Sequence, residues 1–288
     1  MTKLPVPSIT ASDVLASLAS QTREPRKSKV SNGNVTACVS SAEMQYDSLL
    51  KAEKAFQIQP SCNIAGILDE NDARQIYSDL KKIKHNGKPI RRTLLAASSG
   101  EKCAYCGMDR ANTLDHYLPK NRYVELAFMP RNLIPCCQTC NGMSAKGEFY
   151  PLSAGSAIVH PYYEDTNDAQ WLNVSIVVDG AHGLLTSFSA CRPPIWGVDK
   201  YHRVLETFKR LDLSTAYSND LISKINDART RLTEIFNVSG GAGLAGYMSE
   251  WARFSGGCGR ANNWLQIGFE AISADSSVCD QFQKWFPS

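Results

Sequence analysis

Two pairs of cysteines, Cys103 and Cys106 in CAYC and Cys137 and Cys140 in CQTC, are joined by the thirty residues 107–136. Four thiolates from two such knuckles satisfy the tetrahedral preference of zinc and close the site to water, so the metal they imply is structural. A module of about fifty residues cannot bury enough apolar area alone, and a metal clamp supplies the missing stability. Gly107, just after the first pair, suits the tight turn of a zinc knuckle. Cys136 sits beside Cys137; the two-residue spacing favours Cys137 as the partner of Cys140 and leaves Cys136 as a packed neighbour. Taken alone, the four cysteines imply a zinc-ribbon-like domain and no particular activity.

Between and after the knuckles lie LDHYLPK and RNLIPCCQTCN. Phosphodiester hydrolysis needs a base to deprotonate water, and histidine suits that role near neutral pH. It also needs a divalent cation, which hard oxygen ligands hold. Asp115 and His116 are adjacent on a predicted strand, so their side chains point to opposite faces unless the strand ends there. Pro119 places that end just after the pair. Asn132 also reads as a turn-former and Asn141 as a helix cap.

The rest of the chain must position these groups. Its 288 residues allow one large domain or two modest ones, and 43% hydrophobic with 20% charged residues is ordinary for a globular protein. No apolar run approaches the roughly 18 residues that span a bilayer. The first thirty residues place Ser and Asp where a secretion signal needs an apolar block, so no membrane association and a cytoplasmic location are expected. The singly scattered Cys38, Cys62, Cys191, Cys258 and Cys279 fit small buried hydrophobes in a reducing compartment. Net charge is only +3, yet twelve Lys and Arg stand against six acids between Asp79 and Glu148. Positive charge gathers around the cysteines, as a phosphate-binding surface requires, although a solvated helix face such as KKIKHNGK explains part of it.

Residues 1–42, rich in breakers such as REPRKSK and SNGN, read as a flexible or partner-binding arm. Residues 43–99 read as a helical N-terminal region. Its first helix, EMQYDSLLKAEKAF, places Met44, Leu49, Leu50, Ala52 and Phe56 near one face. A second helix runs from Asp69 to the Asn86-Gly87 turn, and a third is PIRRTLLAASSG. Residues 100–165 form the candidate core: a knuckle, strands at NTLDHYL and NLIPC, and a helix opening near Thr139. Residues 166–288 read as mainly helical after a short hairpin in which Val174, Ile176 and Val178 alternate, with SGGAGLAG interrupting the helices.

Asp-His, an Asn sixteen residues after the His, then CxxCN opening a helix together resemble the HNH endonuclease family, over residues 101–150. The resemblance implies an α+β fold: a ββα-metal HNH core with a structural CxxC…CxxC zinc site, flanked by mainly helical N- and C-terminal regions. It implies that His116 is the general base, that Asp115 and Asn141 bind a catalytic divalent ion (magnesium or manganese), and that Asn132 holds the loop and orients the histidine. Lys146 is implied to lie near the scissile phosphate. The family often has Lys-Gly three and four residues beyond the third motif position, whereas Lys146-Gly147 lie five and six beyond Asn141, which leaves that role open. HPYYED, starting at His160, resembles a segment that follows the core in some bacterial HNH proteins. His160 either reaches back toward the metal as part of the catalytic group or packs as a turn residue.

YDSLLKAEKAF, HPYYED and NNWLQIGFEAI further resemble standalone bacterial HNH proteins of anti-phage defence. In Septu-type systems such a nuclease is paired with an ABC-type ATPase, and some retron systems use a similar pair. No GxxxxGK[ST] loop occurs here, so any nucleotide hydrolysis is expected from another subunit. The expected activity is therefore a metal-dependent endonuclease acting on DNA as an effector. A ribonuclease effector and a non-catalytic zinc-ribbon nucleic-acid-binding or adaptor module are the alternatives.

Overall fold

A computed structural model of the chain describes residues 1–142, 149–256 and 261–286. It divides into two compact units, Met1–Thr166 and Asn167–Ser288. The architecture is mixed α/β, and among the described residues every sheet is a two-stranded antiparallel pair. No described helix is long and apolar enough to cross a membrane. Lys146 and the continuation of the helix expected near Thr139 lie outside the described residues.

The first unit opens with three helices: α1 (Ala11–Gln21), α2 (Arg26–Val30) and α3 (Gly33–Lys51). The segment expected as an arm is thus folded and packed, with Val14, Leu15, Leu18, Val35 and Val39 all buried. What reads as a breaker, SNGN, is a helix start. The Asn32 side chain accepts the Asn34 N–H at 2.9 Å and caps α3 ten residues before the expected position. At the start of α1, Thr10 and Asp13 form a reciprocal capping box (3.1 and 2.9 Å).

The inward stripe of α3 is Val35, Val39, Glu43, Tyr46 and Leu50, spaced three or four residues apart. Met44, expected near that face, is 68% exposed. Glu43 is buried, accepts the Ala11 N–H at 3.1 Å and lies 3.5 Å from Arg131 Nε. Burial pushes its carboxyl above the usual range, against the opposing pull of the Ala11 N–H and Arg131. A raised carboxyl favours folding in acid and loses that contribution as pH rises through its folded value. Glu43→Gln is therefore expected to gain stability relative to wild type between pH 4 and neutrality (about 4 being the ordinary carboxylate range). Urea unfolding across that interval checks it; a difference that does not change with pH contradicts it.

Beyond α3, β1 (Asn63–Ile64) and β2 (Leu68–Asp69) make a tight hairpin. Asp69 then caps α4 (Glu70–Asp79) by accepting the Asp72 N–H at 2.8 Å. The helix stops well short of the expected Asn86-Gly87. Those two residues have φ of +50° and +77° and turn a second hairpin, β3 (Lys84–His85) with β4 (Lys88–Pro89). Asn-Gly is the strongest short hairpin signal, and here it overrides helical periodicity. The short α5 (Ile90–Leu95) follows, then the pair that carries the candidate site, β5 (Thr113–His116) and β6 (Leu133–Cys136).

The second unit begins with a hairpin, β7 (Leu172–Asp179) and β8 (Gly183–Ala190), in register from Leu172↔Ala190 to Asp179↔Gly183. Its turn is closed by Asp179, whose Oδ1 accepts the N–H groups of Ala181 and His182 at 2.9 and 2.8 Å. α6 (Val198–Arg210) and α7 (Leu213–Asp227) follow and bury Val204, Phe208, Tyr217 and Leu221. The glycine-rich interruption is a single break at Gly240 (φ +61°) within α8 (Arg229–Ser255). α9 (Trp264–Ala274) packs along α8, and α10 (Ser276–Asp280) completes the unit. Gly268 of α9 lies where a Cβ would come within 2.5 Å of Leu221, so glycine permits the α7–α9 approach.

Candidate metal centre and adjoining cavity

The first knuckle is a tight loop. Gly107, at φ +74°, donates its N–H to the Cys103 carbonyl at 2.9 Å, and Cys103 donates to Asp109 at 2.8 Å. Ala104 donates to the Pro135 carbonyl at 3.1 Å and ties the knuckle to β6. The second knuckle follows β6 directly, with the Cys140 N–H directed at Cys137 Sγ (3.4 Å) and the Asn141 N–H at the Cys137 carbonyl (3.1 Å). Together these bring the sulfurs of Cys103, Cys106, Cys137 and Cys140 within 4.8 Å of one another, all four residues buried.

A zinc tetrahedron with bonds of ~2.3 Å has sulfurs ~3.8 Å apart, and Cys106 and Cys137 stand at 3.9 Å. Cys106 and Cys137 are held below the usual thiol value by hydrogen bonds from Cys103 and Cys140, which are themselves pushed up as donors. Four such sulfurs ionise together only around a cation, so the quartet can hold a structural metal such as zinc. Cys136 is not among them. Its sulfur faces Thr113 Oγ1 at 3.3 Å across the β5–β6 ladder.

β5 ends at His116, where the chain bends at Tyr117 and Leu118. Asp115 and His116 accordingly line one cavity of about 210 Å³, together with Arg74, Pro119, Lys120, Asn121 and Asn141. Asp115 is buried and accepts a hydrogen bond from the Tyr105 hydroxyl at 3.0 Å. Burial, reinforced by the Asp115 charge, pushes the Tyr105 hydroxyl well above the ordinary tyrosine value, so it stays a donor.

His116 Nε2 lies 2.8 Å from the Ala127 carbonyl. A carbonyl only accepts, so Nε2 carries the hydrogen and Nδ1 is the basic nitrogen of the neutral ring. The ring is backed by Tyr77 at 4.4 Å between centroids.

Asn132 is fully buried between the strands. Its Oδ1 accepts the Leu118 N–H (2.8 Å) and the Tyr46 hydroxyl (3.2 Å), and its Nδ2 donates to the carbonyls of Leu118 (3.0 Å) and Leu126 (3.1 Å). One amide thus clasps both ends of the loop whose next residue, Ala127, holds His116. Asn132→Ala is expected to lower the stability of this unit by about 3 kcal/mol, since several buried groups lose partners at about 1–3 kcal/mol each. Urea unfolding reads it; a loss below about 1 kcal/mol would mean the loop is held by other contacts.

His160 does not line the cavity. It is fully buried among Tyr46, Tyr117, Tyr162 and Tyr163, whose ring centroids lie 4.2–6.0 Å from its own. Its Nδ1 accepts the Tyr162 N–H (3.3 Å), so Nε2 donates to the Tyr46 hydroxyl at 2.9 Å. Of the two roles left open, reaching toward the metal is corrected: this ring packs and supports Tyr46, which in turn donates to Asn132.

Arg74, Tyr77, Tyr46 and Tyr105 are absent from the expected site. The first three come from α3 and α4, outside the motif frame, and Tyr105 is one of the two residues that CxxC spacing leaves unspecified.

The chain is 27% identical to Protein ea31 of Escherichia phage lambda over 251 residues, 83% of this chain and 82% of that protein. It is 39% identical to Septu protein PtuB of Bacillus thuringiensis over 61 residues, 19% of this chain and 24% of that protein. The chain thus matches about a quarter of the length of PtuB. No family model and no solved structure matches.

Proposed function

We propose that this chain is a metal-dependent endonuclease of the HNH type that hydrolyses DNA. The reading extends to an effector role in anti-phage defence beside an ABC-type ATPase. The observation that carries the activity is the single cavity shared by Asp115, His116 and Asn141 next to the sulfur quartet. The likeness to Septu protein PtuB supports the defence role over the stretch it covers.

The donors fit a hard cation: a carboxylate from Asp115 and an amide oxygen from Asn141, with an imidazole beside them. When bound there, magnesium or manganese supplies charge neutralisation at the phosphate and at the departing 3′ oxygen. His116 Nδ1 takes a proton from water, and the Ala127 carbonyl keeps the ring aimed through Nε2–H. The water oxygen forms its bond to phosphorus in line as the bond to the 3′ oxygen breaks. Tyr105 holds the Asp115 carboxylate in place throughout.

The test is relaxation of supercoiled plasmid with magnesium or manganese added or omitted, comparing wild type with His116→Ala and running RNA in parallel. Metal-dependent cutting of DNA that the substitution removes is the expected result. Cutting of RNA alone would reassign the substrate, and binding with no cutting under any cation would leave an adaptor. Copurification of a stoichiometric ATPase tests the partner.

A further inference from the structure

α4 presents Arg74 and Tyr77, three residues apart and so on neighbouring positions of one face, while Ala73 and Ile76 turn into the core. The Tyr77 hydroxyl donates to the Leu114 carbonyl of β5 at 2.9 Å, which fixes its ring. That ring lies against the His116 imidazole and also beneath the Lys120 ammonium, 4.9 Å from its centroid. Arg74 and Lys120 line the same cavity as Asp115, His116 and Asn141.

The charge there is unbalanced. Arg74 pairs with Glu70 on its own helix, but no carboxylate among the described residues forms an ion pair with Lys120. Burial, and then the positive charge of Arg74, hold the Lys120 ammonium below the ordinary lysine value. Two cations that feel each other across a small cavity are destabilising without an anion and are relieved by one. Among the described residues, Asp115 is the one carboxylate lining the cavity, and it accepts the Tyr105 hydroxyl.

We propose that Arg74 and Lys120 form a phosphate-binding subsite that grips the sugar-phosphate backbone of nucleic acid beside His116, with Tyr77 as the platform that sets both Lys120 and the imidazole. The subsite rests on the nuclease reading and adds to it a residue from α4, outside the cysteine frame. Arg74 and Lys120 position substrate and take no part in moving the proton.

Binding of a short duplex oligonucleotide is measured by fluorescence anisotropy over a range of salt, with no magnesium or manganese added and on the His116→Ala background, so that cutting is suppressed while the sulfur quartet keeps its metal. Removing each phosphate contact is expected to reduce the slope of log affinity against log salt by about 0.9. Arg74→Gln and Lys120→Gln should each do so and the double variant twice over. Arg74→Lys should restore most of the slope, which a purely structural defect would not allow, and Arg253→Gln, an exposed cation of α8, should change nothing. In the active chain the two Gln variants raise KM and leave kcat unchanged.

If both Gln variants bind with the parent's affinity and slope while wild type cuts DNA, the subsite is wrong and the nuclease reading stands. If wild type neither cuts nor binds nucleic acid, the nuclease reading fails and takes the subsite with it.

Discussion

His116→Ala is expected to nick plasmid DNA about 10²–10⁴-fold more slowly than wild type, the range that a positioned general base contributes. The residual rate comes from what the substitution leaves in place, namely oriented substrate and the oxygen donors of Asp115 and Asn141. The fold should be little affected, because the ring is partly exposed and a hydrogen bond such as the one to the Ala127 carbonyl is worth about 1 kcal/mol. Near-UV circular dichroism of the variant should therefore match wild type.

His116→Gln sharpens the test. A glutamine amide can still donate to the Ala127 carbonyl but offers no basic nitrogen, so this variant should be as slow as the alanine. A glutamine variant with wild-type activity would show that position 116 only props the loop. Equal activity of wild type and alanine would remove the imidazole from the reaction altogether.

Stripping the metal from the sulfur quartet should unfold the first unit. Structural zinc in small cysteine sites binds with an apparent ~10–16 kcal/mol, comparable to or larger than the ~5–15 kcal/mol that holds a whole domain folded. The quartet joins the first knuckle to the residues immediately after β6, so its loss frees the Thr113–Cys136 end of the β5–β6 pair. Elemental analysis should find one zinc per chain. Cys140→Ser should lose it, along with the near-UV signal of the buried tyrosines. Cys136→Ser should keep it, since that sulfur faces Thr113. Asp115→Asn and His116→Ala should keep it too, which separates the structural ion from the ion proposed for the cavity. A chain that stays folded and metal-free after chelation contradicts this account.

The sulfur quartet is legible in the sequence because ligand spacing within a knuckle is fixed by coordination, whatever surrounds it. The β5–β6 pair is legible for a similar reason, as two short apolar runs with a proline near the end of the first. The helices of the first unit are less so. A window beginning at Glu43 cuts α3 in half and puts Met44 on the inner face, whereas the stripe that starts at Val35 selects Tyr46. Asn32-Gly33 and Asn86-Gly87 illustrate the difficulty: Asn next to Gly opens a helix in one place and turns a hairpin in the other. Arg74 escapes for a different reason. It lies upstream of the basic stretch between Asp79 and Glu148 and reaches the cavity through the helical geometry of α4, which charge counting along the chain does not see.

Tyr46 and Tyr77 reach the strand pair from helices that lie before the cysteine frame, one gripping Asn132 and the other the Leu114 carbonyl. The fifty-residue cassette is therefore not portable. Transplanted alone into another scaffold, it would carry its sulfur clamp and its loop but leave behind the two phenol hydroxyls that brace them. Substitutions in α3 and α4 are accordingly coupled to those in the cassette, and a transplant would need both helices to travel with it.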